Sequence, residues 1–409
     1  MTEELGLRTF EIMMNSFNSH TRILWQQVWG LAALLAAIIF SWMVYGMYQP
    51  QILQKLEFVQ LAAWLGIGQG LMAAVIEPFI GNISDKIQRR LGSRLPMISF
   101  GVTLAGLIFI ASALLMQQKL TGAIRLIVPV MMTVWVMAMI IFQGPAIALL
   151  IQFAPQAELP QAGAVLVFVF GLVGATRPLL NIVLKNIGAS VTFILGAIAL
   201  VVGAYILRSY TPTYKLPPLT ENKNRPAIIP KLLLIIIFII GFGAALEVNL
   251  MHSIFPQFLH AQLRSIKTEF IASSILLISA FTSFPLGTLT TKIGVNQAML
   301  LGLGIIVGLM GIGLLHQNDF LALGLILGFG ISFGLVFVSM IPFALGMLPS
   351  AMAGLSTGLY FGGGAAATAF VSILMKPPGI EPIAGFLLAS LGFVTAAFCL
   401  VISQRIRPL

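Results

Sequence analysis

Apolar positions in this chain neither alternate at the period of a strand nor trace one stripe of a surface helix. They fill whole stretches of about 20 residues, separated by short polar segments. A stretch of that length crosses the roughly 30 Å hydrocarbon core of a bilayer as an α-helix. It is too long and too uniformly apolar for a strand of an outer-membrane barrel. Twelve spans are predicted, at 23–47, 58–81, 97–117, 124–151, 162–184, 189–207, 232–255, 268–289, 297–315, 320–343, 350–374 and 383–403. Ahead of the first, Leu7, Phe10, Met14 and Phe17 recur at spacings of three and four, which predicts a short helix lying along the membrane face. The apolar run after it is too long for the core of a signal peptide, and no small-residue cleavage site follows.

Composition sharpens this reading. Of 409 residues 59% are hydrophobic and 8% charged, against roughly a quarter charged in soluble proteins. So few charges cannot coat a soluble globule, and so apolar a chain is not disordered. Cys399 is the only cysteine, which excludes an internal disulfide. A net charge of +10 would point to nucleic acid in a soluble protein. Here it is read as loops obeying the positive-inside bias, and no nucleic-acid partner is expected. One side collects fourteen basic residues: Arg8, Arg22, Lys86, Arg89, Arg90, Arg94, Arg208, Lys215, Lys223, Arg225, Lys231, Lys292, Arg405 and Arg407. The other collects seven: Lys55, Lys119, Arg125, Lys185, Arg264, Lys267 and Lys376. This asymmetry predicts an integral multi-pass protein of a cell (inner) membrane with both termini in the cytoplasm.

The longest polar segment, Arg208 to Pro230, contains Pro212, Pro217, Pro218 and Pro226 and reads as a linker between two groups of six helices. The expected organisation is an amphipathic segment over 1–22, one bundle over 23–207, the linker over 208–230, a second bundle over 231–403 and a tail over 404–409. The halves share weak self-similarity at a constant offset of 206 residues. Pro50, Gln51 and Leu53 recur as Pro256, Gln257 and Leu259, and Gly81, Lys86 and Ile87 as Gly287, Lys292 and Ile293. Duplicated transporter halves would leave that trace. The first set is read as ending spans 1 and 7, the second as closing spans 2 and 8.

Between spans 2 and 3 the chain reads Glu77-Pro78-Phe79-Ile80-Gly81-Asn82-Ile83-Ser84-Asp85, continues through Arg89, Arg90 and Gly92, and ends on Arg94-Leu95-Pro96. Gly81 allows close approach to a neighbouring backbone, Asp85 can accept from the positive amino end of another helix, and the arginines can donate to carboxylates, helix carboxyl ends or lipid phosphate. The segment resembles the loop signature of the major facilitator superfamily, in the longer form of the glycoside-pentoside-hexuronide cation symporters and sucrose carriers. Pro78, Gly81, Ser84, Asp85, Arg89, Gly92, Arg94 and Pro96 match, whereas Ser93 and Leu95 replace two of three arginines. A second signature at the end of span 4 keeps Gly144-Pro145 and Ala148-Leu149, but Gln152 stands where an Asp is usual. The resemblance implies an all-α fold of two pseudo-symmetric six-helix bundles. It also implies a conformational latch formed by Gly81, Asp85, Arg89, Arg90, Gly92 and Arg94.

Ionisable groups within spans cost several kcal/mol unless they face a cavity or a partner. Glu77 and Glu247 are therefore candidates for coupling a proton or sodium ion. Glu77 is expected about one and a half turns inside the end of span 2, with Gln69 and Ala73 on its face. Arg177 and Glu247 fall at similar depths in spans 5 and 7, which predicts a pair across a central cavity. Asn249, His252, Gln143, Asn181 and Tyr360 are, with Arg177, candidates to contact a solute. Gly66 and Gly70, Gly324 and Gly328, and Gly354, Gly358 and Gly362 recur every four residues and mark close helix contacts.

No phosphate loop, zinc spacing or nucleophile elbow occurs, so neither an enzyme nor an ATP-driven pump is supported, and no metal or cofactor is expected. A monomeric secondary transporter is the expectation, with a small solute, a proton or sodium ion and membrane lipid as partners. A sugar-like solute follows from the resemblance, and a less polar one from the scarcity of Asn, Asp and Trp in the expected cavity. The alternatives are efflux of amphipathic compounds, or a pigment-handling or assembly factor similar to the bacteriochlorophyll-delivery proteins.

Overall fold

A computed structural model of the protein describes residues 22–118, 121–211, 230–263, 266–315 and 319–406. The amphipathic segment, nearly all of the central linker and the end of the tail lie outside the described residues. In lipid, every backbone amide must bond within its own segment, so long apolar runs fold as helices. Twelve helices of membrane-crossing length follow among the described residues. They are α1 (Trp25–Lys55), α2 (Val59–Leu91), α3 (Leu95–Leu115), α4 (Ile127–Ala148), α5 (Leu159–Ala175), α6 (Ala189–Tyr210), α7 (Lys231–Gln262), α8 (Thr268–Ile293), α9 (Val295–Leu315), α10 (Asp319–Gly346), α11 (Ala353–Leu374) and α12 (Pro382–Ile406). A further turn, Leu150–Phe153, extends α4. Beyond α5 a distal segment, Arg177–Ile187, continues the span. The break falls at Thr176 because Pro178, in the first turn of the distal segment, has no N–H to give to Gly174.

The helices overrun their predicted bounds in ways that matter. The segment read as a loop between spans 2 and 3 is helical as far as Leu91, where Gly92, at φ 74°, makes the left-handed cap and donates its N–H to Gln88 O. Glu77 therefore lies 14 residues, or about 21 Å, from the end of α2 rather than near it. Pro50 and Pro256, read as helix ends, sit inside α1 and α7.

Two apolar cores form, one drawn almost wholly from α1–α6 and the other from α7–α12. Within the halves α1 packs on α6 and α7 on α12. Between them α2 lies along α11 and α5 along α8. These cross-half seams are glycine seams. A Cβ at Gly362 would lie 2.9 Å from Ala74 O, and one at Gly358 or Gly81 would run into the backbone of the facing helix. On the pseudo-equivalent seam, a Cβ at Gly171 would lie 2.6 Å from Leu276 O and one at Gly287 3.0 Å from Pro160 O. Gly81 and Gly287, equivalent at the 206-residue offset, thus do the same job in opposite halves. Spacing alone overcalls this role: a Cβ at Gly66 or Gly324 meets nothing within 4 Å. The α2–α11 seam is also held near its far end, where Lys376 Nζ sits 2.9 Å from the centroid of the Trp64 ring.

Replacing Gly358 by Leu should therefore cost at least about 1–3 kcal/mol, the range for overpacking a filled interface, or prevent assembly. Gly324→Ala should be neutral or better. Thermal unfolding of the detergent-solubilised variants checks both. Equal stability of the two would refute the close seam.

Candidate functional site

The end of α2 carries Asp85, which is 1% exposed. Its Oδ1 accepts from Arg94 Nη2 at 2.7 Å and from the Gly354 N–H at 2.8 Å, and its Oδ2 accepts from the Leu355 N–H at 2.8 Å. Gly354 and Leu355 open α11, where amide groups have no intrahelical acceptor and the helix dipole is positive. Arg94, fully buried, also donates from Nη1 to Ala148 O at the end of α4, 3.3 Å away. One carboxylate therefore joins α2, the start of α3 and the start of α11, and through Arg94 the end of α4, tying the first half to the second. Arg89 and Arg90 point outward and are exposed. They form no ion pair with a described residue.

Eight residues before Asp85, about 12 Å along α2, Glu77 lines a cavity of about 290 Å³ between the halves. Gln143 of α4, Asn249 of α7 and Tyr360 of α11 line it too, among mostly apolar neighbours. Gln143 Oε1 accepts from Trp42 Nε1 at 3.0 Å, and Asn249 Nδ2 donates to Thr368 Oγ1 at 3.0 Å. Each amide thus spends part of its hydrogen-bonding capacity inside the protein. Glu77 has no ion pair with a described residue. A second chamber of about 520 Å³ shares Gln143, Phe337, Met340, Phe361 and Thr368 with the first and is lined besides by Trp42, Phe170 and aliphatic side chains of α1 and α5.

Arg177, Asn181 and His252 meet elsewhere. They line a vestibule of about 310 Å³ toward the other end of the bundle, with Glu269 and Ser273 of α8. His252 is one turn beyond Asn249 on α7, so vestibule and cavity adjoin along that helix.

Arg177 and Glu247, expected to pair, do not. Glu247 is fully buried, with neither carboxylate oxygen hydrogen-bonded. Its backbone faces α12, where a Cβ at Gly392 would lie 3.3 Å from Glu247 N. Gly241, Ala244, Ala245, Val248 and Asn249 present the cavity face of α7, and Glu247 lies two residues, about 200°, from both Ala245 and Asn249. Thr368, Trp42 and Glu269 were not among the sequence candidates. Trp42 and Thr368 lie in apolar runs that carry no pattern of their own, and Glu269 reads as a helix-start acid.

Asp85 and Arg94 make a direct test of the joint. Asp85→Asn or Arg94→Gln alone strands a buried charge and should cost about 3–5 kcal/mol, while the double variant should cost less than the sum. Chemical or thermal unfolding in detergent measures this. Additive losses would mean that the pair is not coupled.

The model of the Major Facilitator Superfamily matches residues 31–372. Among solved structures, the human organic anion transporter MFSD10 (TETRAN) aligns at 14% identity and a TM-score of 0.68, covering 92% of this chain and 99% of that one. A bacterial homologue of the iron transporter ferroportin, in its outward-facing state, aligns at 13% identity and a TM-score of 0.69, covering 93% and 99%. No curated protein matches the sequence. At such identities the structures speak for the fold, and the family match extends over most of the chain. The chain belongs to the Major Facilitator Superfamily, the transporters built from two six-helix halves around a central cavity.

Proposed function

We propose that the protein is a secondary active transporter that moves a small, weakly polar solute by alternating access, with Glu77 as the site of a coupling proton or sodium ion. The observation that carries this reading is the position of Glu77: a carboxylate without an ionic partner among the described residues, in the middle of a membrane-crossing helix, lining a cavity between two halves. A carboxylate charge there costs several kcal/mol unless a cation accompanies it, so its occupancy is tied to an ion. The scarcity of free hydrogen-bonding groups around it weighs against the sugar that the glycoside-pentoside-hexuronide resemblance implies, because a sugar must exchange many hydrogen bonds with water for bonds with the protein. Asp85 is the latch: it holds α2 to α11 on one face, and breaking it frees the halves to rock. The basic residues Lys86, Arg89, Arg90, Arg94 and Lys292 on that face support a cytoplasmic assignment for it and for both termini.

A second reading rests on the vestibule. Arg177, with Asn181 and His252 beside it, offers a cation and hydrogen-bonding groups to an anionic solute. MFSD10 is an organic anion transporter, but Glu269 in the same vestibule works against an anion here.

The test needs no knowledge of the solute. In a Cys399→Ser background, Ala245→Cys places one thiol on the cavity wall of reconstituted protein. An impermeant maleimide should reach it from the face opposite Asp85, and Asp85→Asn should raise labelling from the Asp85 face several-fold. Lowering pH should shift the ratio of labelling from the two faces in the parent and leave it unchanged with Glu77→Gln. A ratio indifferent to Asp85, Glu77 and pH would defeat the carrier reading.

A further inference from the structure

We infer that the solute is a lipophilic organic monocation that binds against Glu77 and displaces a proton from it, so that proton and solute exchange at one carboxylate. This rests on the reading of Glu77 as the coupling site and names what shares that site. The two chambers adjoin at five shared wall residues, Glu77 lining the first and Trp42 and Phe170 the second, with Phe337 and Phe361 in the wall of both. Their walls are hydrocarbon and aromatic: Trp42, Phe170, Phe337 and Phe361 present rings that bury apolar surface and attract cations at their faces. Glu77 is the one carboxylate among the residues lining either chamber, and no Lys, Arg or His lines them.

Sign and chemistry then follow by elimination. An anion would meet a carboxylate and no positive charge. A neutral apolar solute would fill the walls but make no use of the charge on Glu77, so that solute and proton would not compete for one site. A bare metal ion needs several oxygen ligands in place of its water, and no cluster of three or more His, Cys, Asp or Glu exists among the described residues. An organic monocation satisfies both halves of the cavity, charge against Glu77 and apolar body among the rings. When it binds, Glu77 gives up its proton to solvent, one positive charge replaces another, and no other bond changes.

The surroundings of Glu77 keep this exchange simple. Tyr360 of α11 is the one other titratable side chain on its chamber wall, and α4, α7 and α10 contribute none there. Arg177, His252 and Glu269 belong to the vestibule. Gly358 puts α11 against the Glu77 backbone and Gly362 against that of Ala74, so the carboxylate is displayed from a close helix seam rather than a loop.

Tetraphenylphosphonium and tetraphenylborate, alike in shape and opposite in charge, test the assignment by calorimetric titration of the purified full-length protein. Comparing buffers of different ionisation enthalpy counts the protons released. Tetraphenylphosphonium should bind saturably with release of up to one proton, more weakly as pH falls. Glu77→Gln should weaken it at least about tenfold and abolish the release, Glu77→Asp should retain both, and the exposed Glu57→Gln should bind like the parent. Tighter binding of the borate, sensitive to Arg177→Gln, would overturn the proposal in favour of an anion. So would phosphonium binding without proton release. If phosphonium fails to bind while the pH-dependent labelling at position 245 persists, the cation assignment falls and the carrier reading stands. If that labelling is lost as well, the role of Glu77 falls with it.

Discussion

The architecture turns on one buried carboxylate. Asp85 accepts three hydrogen bonds, two of them from the first amides of α11, and the only charge it pairs with among the described residues is Arg94. Hydrogen bonds to a charged group contribute about 1.5–3 kcal/mol each. Much of that is offset by the cost of burying Asp85 and Arg94, so the joint secures geometry more than it adds net stability. That balance suits the latch proposed for it, a contact made in one state and parted in another. Because the joint lies at one end of the α2–α11 seam, it closes one face while the vestibule of Arg177 and His252 occupies the other end.

The seam explains where the polar residues sit. Gly358 and Gly362 bring α11 so close to α2 that the backbone of Glu77 and Pro78 is in contact with it. With its backbone fixed there, Glu77 has the cavity between α4, α7 and α11 as its place to go. Glu247 shows the contrast. It too is a carboxylate at mid-helix, yet its backbone lies against α12 inside the second half, and it is fully buried and does not line the cavity that Glu77 lines. Two acids with similar sequence surroundings are thus separated by rotation about a helix axis.

Hydrophobic stretches determined the number of spans, since in lipid the only way to satisfy a long apolar backbone is an α-helix. The motif from Pro78 to Pro96 pointed to the family because a glycine, a buried acid and an arginine at that spacing serve one joint. The self-similarity at offset 206 located Gly81 and Gly287, two glycines with the same work in each half.

What the sequence left undecided has a common physical origin: it concerns which side of a helix faces what. Helix ends moved because Pro50 and Pro256 were read as stops, although a membrane helix carries a proline when neighbours satisfy the freed carbonyl. Glu77 moved from the edge of its helix to the middle for another reason: α2 runs on through the motif to Leu91. The expected Arg177–Glu247 pair failed because equal depth says nothing of azimuth, and 100° per residue turns Glu247 away while Asn249 looks in. In a chain apolar on every side, hydrophobic periodicity cannot say which face meets lipid, core or cavity. Only the packing of one helix on another decides that, and with it which of two carboxylates lines the cavity between the halves.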